Sequence, residues 1–450
     1  MSLNVVILAA GKGTRMHSDK PKVLQPLSNK SILQHVLDTS NLLQSNNIII
    51  VTGYKSDLIK TSISDPKISW RLQDKQLGTG HAVKQSIPDL SNEKTLILYG
   101  DVPLIEQSDL QKLIKAADSG LAVMTFIKDN PYGYGRIERR QGKIHAIIEE
   151  KDSTEEQRKI TEINTGIMAV NTKYLISWLG KLNNENSQNE YYLTDIVKLA
   201  VKDGIIISSH TAKNELSITG VNSKKELAFI ERGFQLKKAE ELMSKGVTLI
   251  DPNRIDIRGE LICGKEVSID IGCVFEGKVT LGNNVQVKPY SIIKDSYIAE
   301  NTTIEPFSHI NSSKVGPACR IGPYARLRPG SILEGSAHIG NFVEIKNSAI
   351  NFGTKINHLS YIGDSEIGKN VNIGAGTITC NYDGINKHKT IIEDNVFVGS
   401  DTQIVAPLKI GKGATIGAGS TITKDVPEEN LTLSRSQQKT ISGWVKPEKK

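Results

Sequence analysis

The sequence predicts two architectures in one chain: an α/β domain with a mostly parallel sheet, followed by a parallel β-helix of six-residue repeats. Three observations carry this. In the second half an aliphatic residue returns every six positions, often followed by glycine: Ile321-Gly322, Leu327, Leu333, Ile339-Gly340 and Ile345, then Ile356, Ile362-Gly363, Ile367-Gly368, Ile373-Gly374, Ile410-Gly411, Ile416-Gly417 and Ile422. A fixed short period identifies a solenoid before any single motif does. Six is a multiple of two, so each unit suits a short strand and a turn. In the first half, wholly apolar runs alternate with helical patterns, the mark of strands buried on both faces between helices. Between the halves lies a run of helical spacing rich in Lys and Glu. An ordinary β-sandwich would need longer alternating strands than the second half offers.

Composition sets the bounds. The chain has 450 residues, too many for one typical core, so two or three domains are expected. Aromatics are 5%, which suits a solenoid filled by Ile, Val and Leu. A net charge of +7 suits anionic small substrates and does not point to nucleic acid. Cys263, Cys273, Cys319 and Cys380 lie far apart without a CxxC pair, so they read as reduced thiols and form no disulfide or zinc frame. The start, MSLNVVILAAGKG, enters a strand directly, and no apolar segment approaches 18 residues. The expectation is a soluble cytoplasmic protein with no membrane partner.

Taken in order, Val5 to Ala9 is a buried strand ending in Gly11-Lys12-Gly13-Thr14-Arg15. Ser31 to Leu37 has helical spacing. Strands follow at Ile48–Val51 and Leu96–Tyr99, the latter ending in Gly100-Asp101. Further strands are expected at Ala122–Phe126, Ile144–Ile148, Ile167–Val170 and Ile205–Ser208, with helices at Ser108–Ala117 and Thr194–Val201. Ligands in such sheets bind at the carboxyl ends of strands, so the glycine-rich loop and Asp101 are expected at one pocket. Lys224 to Lys245 reads as one amphipathic helix closed by Gly246. The domains are therefore 1–223, a linker helix 224–246, and 247–450. Two interruptions of the repeat are expected, an insertion at Cys380–Lys389 and a weak register around Ser291–Ser313.

The chemistry begins at the glycine-rich loop. Two glycines let backbone amides approach a phosphate closely. The spacing matches neither G-x-G-x-x-G nor G-x-x-x-x-G-K-[ST], so a dinucleotide fold and a P-loop are both unsupported. Lys22 suits phosphate charge, and Asp101 suits Mg²⁺, which takes few protein oxygens. Read alone, the loop also suits a plain tight turn, Lys22 a solvated lysine and Asp101 a turn residue. In the repeat half, Arg328, Lys346, His358 and Tyr361 protrude near Glu344. His358 suits a general base, with a nearby carboxylate to orient it, and Arg328 and Lys346 suit a sugar phosphate. The alternative for each is an ordinary surface residue. Scattered histidines without an H-x4-H pair disfavour a zinc hydrolase on the β-helix.

The ordered motifs carry a resemblance. Leu8-Ala9-Ala10-Gly11-Lys12-Gly13-Thr14-Arg15-Met16 and Pro21-Lys22-Val23-Leu24 are similar to the signature of nucleotide-sugar pyrophosphorylases. Gln76 to Ala82, Tyr99 to Pro103, Gly133 to Ile137, Glu162 to Gly166 and Glu190 to Asp195 extend it. With the hexapeptide half, the whole chain resembles the bacterial bifunctional N-acetylglucosamine-1-phosphate uridyltransferase / glucosamine-1-phosphate N-acetyltransferase family. The resemblance implies a Rossmann-like nucleotidyltransferase domain, a left-handed coil and a homotrimer. It implies acetyl-CoA-dependent N-acetylation of glucosamine 1-phosphate, then Mg²⁺-dependent uridyl transfer from UTP, supplying peptidoglycan and lipopolysaccharide precursors. Leu8, Ala9, Ala10 and Gly11 would hold the nucleotide, with Gln73, Gly78 and Thr79 at the uracil and Arg15 and Lys22 at the phosphates. Tyr99, Gly100, Gly135, Glu149 and Asn164 would hold the sugar and ribose, and Asp101 and Asn222 the Mg²⁺. His358 would deprotonate the amine. Arg328, Lys346, Tyr361 and Asn372 would bind the sugar phosphate; Ala375, Asn381, Tyr382, Ser400, Ala418 and Arg435 would line the acetyl-CoA. Lys387 would reach a neighbouring subunit's site. This sequence departs from the family pattern at Lys20, Gln25 and Asn29-Lys30-Ser31, which bears on the local loop shape. The alternative is a pyrophosphorylase whose β-helix only oligomerises or regulates.

Overall fold

The computed structural model describes residues 2–45 and 47–449, and the chain forms two compact units, residues 1–234 and 235–450. In the first, Leu3–Ala9 lies at the centre of the sheet, fully buried because all seven residues are apolar or, like Asn4, internally bonded. It pairs in parallel with Asn47–Thr52 on one side and Lys94–Tyr99 on the other. The order across the sheet is Ile207–Thr211, Leu121–Ile127, Glu162–Asn171, Lys94–Tyr99, Leu3–Ala9, Asn47–Thr52, Ile68–Leu72. The pairing is parallel except around Glu162–Asn171, which runs antiparallel to both neighbours. The hairpin Arg136–Arg140/Lys143–Ile148 attaches to that strand. Apolar cores fill both faces. Central parallel strands place their carboxyl ends, Ala9 and Tyr99, side by side, with Gly100 donating its backbone N–H to Leu8 O at 2.9 Å. That edge positions the first site.

The helix spans Lys224–Ser244 and stops at Gly246, whose φ of +91° is the left-handed conformation that ends helices. Its start belongs to the first unit, where Ile230 is buried with Met16, Leu27, Ile32 and Val221. Its end belongs to the second, where Ala239 and Leu242 join the solenoid core.

The second unit is a left-handed parallel β-helix from Thr248–Leu249 to Leu431–Thr432. Inward apolar residues stack on their counterparts one coil away: Phe275 on Ile293, then Ile310, Leu327, Ile345 and Ile362. These steps are 18, 17, 17, 18 and 17 residues, so a coil is three hexads, with or without one deletion. The deletion explains the weak register expected around Ser291–Ser313, which the structure corrects. The coils there pair without interruption, and the six-residue count slips by one where Ile293 is followed by Ile298 and Ile310 by Val315. Asp295, Ser312, Asn347 and Asp364 take positive φ at this shortened corner. Buried hydroxyls close it: Ser313 N–H donates to Ser296 Oγ at 3.1 Å and Ser365 N–H to Ser348 Oγ at 3.0 Å. At another corner Tyr290, Phe307, Tyr324 and Phe342 stack in a column with centroids 5.3, 4.9 and 5.2 Å apart. The expected insertion is present, since the coil from Thr379 to Ile404 takes 25 residues.

Each inward residue supports two neighbours, so a cavity at one rung weakens the next. Ile345 is fully buried. Ile345→Ala is expected to cost about 2–5 kcal/mol. Denaturant unfolding followed by circular dichroism checks this; a change under about 1 kcal/mol, the range of volume-conserving swaps, would contradict the stacking account.

Candidate functional sites

The first site opens at the carboxyl ends of the two central strands. A cavity of about 290 Å³ is lined by Leu8, Ala9, Ala10, Gly11, Lys22, Val23, Gln73, Gln76, Gly78, Thr79, Ala82, Tyr99, Asp101 and Glu190. The structure thus brings together most residues expected at the nucleotide. Arg15 is exposed on the following turn, Thr14–Met16, and is not among the lining residues. Gln73 donates from Nε2 to Gly78 O at 3.0 Å, fixing the turn where Gly78 takes φ +106°. Thr79 Oγ1 accepts from Leu193 N–H at 3.1 Å. The departure at Gln25 has a structural part: its Nε2 donates to Ser18 Oγ at 3.0 Å and Lys20 O at 3.2 Å, while Lys224 Nζ donates to its Oε1 at 2.7 Å. The loop before Lys22 is therefore tied by an amide.

Lys22 forms an ion pair with Asp101 Oδ2, and its Nζ also donates to Asn222 Oδ1 at 3.0 Å. Asp101 O accepts from Val221 N–H at 2.8 Å, which brings Asn222 to the same point from far along the chain. The ammonium is a stand-in for a cation: one carboxylate and one amide oxygen converge on it. These are hard oxygen donors of the kind a small divalent ion takes, so the pair fits such an ion. Among the described residues no group of three His, Cys, Asp or Glu side chains is arranged for a metal.

Beyond Tyr99 the residues expected at the sugar lie together. Tyr99 lies against Gly166, where a Cβ would stand 2.5 Å from Tyr99 Cε2. Burial pushes the Tyr99 hydroxyl up, above its ordinary range. Asn164 donates its N–H to Gly135 O at 2.8 Å, and its Oδ1 accepts from Gly166 N–H at 3.0 Å. Glu149 lies near Gly135 and accepts from Thr194 Oγ1 at 2.9 Å. Burial raises the Glu149 carboxyl despite that bond. Glu149 also lines a second cavity of about 400 Å³ with Asp152, Lys181, Asn186, Tyr192 and Asp195.

The second site lies on one side of the coil. Glu344 pairs in register with Arg326 and Tyr361, and Lys346 with Gly363. Arg328 follows the Leu327–Ile345 pair, so it stands beside Lys346. Arg328 Nη1 donates to Glu344 Oε1 at 2.9 Å. Lys387, on the inserted loop, approaches Lys346 of its own chain and holds that ammonium below the ordinary lysine range. Asn381 Nδ2 donates to Asp364 Oδ2 at 2.5 Å, fixing the start of the loop, and Tyr382 is exposed. Asn372 lies on a different sheet, in register with Lys355 and Phe397, away from the Arg328 patch.

His358 ends the strand Lys355–His358, in register with Asn341. Its partner corrects the expectation of a carboxylate. Nδ1 is 2.8 Å from Asn341 Oδ1, whereas Glu344 is taken by Arg328 and Arg326. An amide oxygen accepts only, so Nδ1 donates to it, and in the neutral ring Nε2 is the nitrogen with the lone pair. Asn341 was missed from sequence. Its signal is the coil length, since it lies 17 residues before His358. Asn341→Leu is expected to lower turnover at this site about tenfold, because the tautomer is no longer fixed. Steady-state rates checked against Asn341→Gln distinguish this from a folding defect.

Two residues past the register pairs Ile356–Ile373, Ile373–Val398 and Val398–Ile416 come His358, Ala375, Ser400 and Ala418, one above another. Arg435 Nη1 donates to Ala418 O at 2.7 Å at the top. Small side chains thus continue the column that His358 begins.

Fold and sites define a class: a nucleotidyltransferase α/β unit joined to a hexapeptide-repeat transferase. A MobA-like NTP transferase domain model matches residues 5–158, a GMPPB C-terminal domain model residues 257–337, and a bacterial transferase hexapeptide model residues 389–424. The chain is 54% identical to the bifunctional protein GlmU of Methylobacillus flagellatus, covering 99% of this chain and 98% of the relative. It is 54% identical to GlmU of Nitrosospira multiformis, covering 100% and 98%, and 53% identical to that of Chromobacterium violaceum, covering 100% and 99%. The chain belongs to the GlmU family. It is a bifunctional enzyme, uridyltransferase and acetyltransferase in one polypeptide.

Proposed function

We propose that residues 247–450 acetylate glucosamine 1-phosphate from acetyl-CoA, and that residues 1–223, joined through the helix 224–246, convert the product with UTP to UDP-N-acetylglucosamine and pyrophosphate. The observation that carries the reading is the meeting of Lys22, Asp101 and Asn222 beside the Leu8–Gly11 cleft. Such chemistry is mostly positioning and charge neutralisation. Leu8 to Gly11, Gln73, Gly78 and Thr79 hold the nucleotide; Tyr99, Gly100, Gly135, Glu149 and Asn164 hold the sugar and ribose. Lys22 and Arg15 take phosphate charge, Arg15 by moving in from the exposed turn. The sugar phosphate oxygen attacks the α-phosphorus of UTP, and the bond to the pyrophosphate leaving group breaks. Asp101 and Asn222 hold Mg²⁺, which when bound neutralises phosphate charge.

In the second site Arg328, Lys346 and Tyr361 hold the sugar phosphate, and Asn372, on another sheet of its own coil, joins them from a neighbouring copy in the assembly proposed below. His358 Nε2 takes a proton from the amine, whose nitrogen attacks the thioester carbonyl; the carbon–sulfur bond breaks and CoA leaves as the thiol. Asn341 positions the ring. Ala375, Ser400 and Ala418, with Asn381, Tyr382 and Arg435, line the acetyl-CoA. UTP and acetyl-CoA are cytoplasmic pools, and we place the enzyme there, feeding cell-envelope precursors. The test mixes the protein with glucosamine 1-phosphate, acetyl-CoA, UTP and Mg²⁺ and follows free CoA and pyrophosphate. CoA is expected first, then pyrophosphate. Pyrophosphate without CoA would leave only the first unit's reading.

The acetyl-transfer residues stand on an open side of the coil, with Arg328 about one-third exposed. A second copy would supply the missing wall, and we propose a homotrimer. Sedimentation equilibrium of the full chain is expected to give three copies; a fully active monomer at assay concentration would contradict it.

A further inference from the structure

We propose that Lys22 is a built-in cation at the seat formed by Asp101 and Asn222, so that a divalent ion enters together with the nucleotide and not ahead of it. This rests on the reading of Asp101 and Asn222 as metal ligands. The Lys22 ammonium engages both oxygens at once. The pair is mostly withdrawn from water, with side chains 13% and 16% exposed. Asp101 brings one negative charge to that point, and the ammonium already neutralises it; Asn222 brings none. Two positive centres cannot share the same two oxygens, because like charges at contact distance repel strongly away from bulk water. A divalent ion arriving alone must therefore turn the ammonium out of its pair. A triphosphate changes the exchange: its oxygens receive the ammonium while Asp101 and Asn222 pass to the metal.

The side chain is built for such a move. Its base is held against the glycine-rich loop, since a Cβ at Gly13 would lie 2.7 Å from Lys22 Cβ, with Gly13 at φ +63°. Its head rides on a flexible four-carbon stem that can re-aim without moving the backbone. The same loop borders the cleft at Gly11. The lysine can thus swing from the acid to a phosphate within one pocket.

The test measures Mn²⁺ binding to the full chain without nucleotide, by the loss of the free-ion electron paramagnetic resonance signal. Lys22→Met is expected to bind Mn²⁺ at least about tenfold more tightly than the unaltered protein, because the competing charge is gone. Unchanged or weaker binding by both Lys22→Met and Lys22→Gln overturns the proposal. An unchanged denaturant unfolding midpoint by tryptophan fluorescence, which reports the first unit through Trp70 and the fully buried Trp178, shows that each variant is folded. The double variant Lys22→Met/Asp101→Ala must lose the gain. If it keeps the gain, the ion is held elsewhere, and the metal-ligand reading fails in place of the displacement idea.

Discussion

Asp101→Ala is expected to lower uridyl transfer by about a thousandfold or more while acetyl transfer stays within about twofold. The asymmetry follows from where the carboxylate stands. It holds the Lys22 ammonium, shares that point with Asn222, and sits at the mouth of the nucleotide cleft. Its loss removes an oxygen from the cation seat and leaves a mostly buried lysine without its partner charge. Nothing in the stack of inward aliphatics from Val267 to Val426 depends on it. The two reactions are assayed separately, one with supplied N-acetylglucosamine 1-phosphate and one with glucosamine 1-phosphate. Equal loss of both would mean that Asp101 holds the chain together and has no chemical role.

His358→Ala is expected to do the reverse, reducing acetyl transfer by about a hundredfold to ten-thousandfold, the usual worth of a general base, and sparing uridyl transfer. The ring is exposed and held through one nitrogen, so its removal leaves no cavity in the core. The loss should therefore appear in kcat with little change in unfolding midpoint. An alanine variant with full acetyl transfer would return the β-helix to a purely structural role.

The solenoid was legible because each inward residue is written at a fixed interval, and no distant partner is needed to read it. The count slips at Ser291–Ser313, and again after Ile345 and Ile362, where a single deleted residue per coil shifts the interval while the stacking continues. In the first unit the apolar runs located the central strands. The reversed direction of Glu162–Asn171 was not legible, because strand pairing is decided by partners far away in sequence. The same limit governs the sites. Gly11, Lys22 and Asp101 announce themselves by motif, yet nothing local says that Asn222 closes on Lys22. Asn341 becomes visible only once a coil is known to be 17 residues long.

The column from His358 through Ala375, Ser400 and Ala418 makes the coil a gauge of molecular length. Parallel strands lie about 4.8 Å apart, so three rungs reach roughly 14 Å from the base to Ala418. Arg435, bonded to Ala418 O, marks the upper stop. If the column lines the acetyl-CoA as proposed, the number of coils above the histidine limits how long a thioester carrier can be while still laying its reactive carbonyl at Nε2. A shorter carrier would reach the base and leave the upper rungs bare.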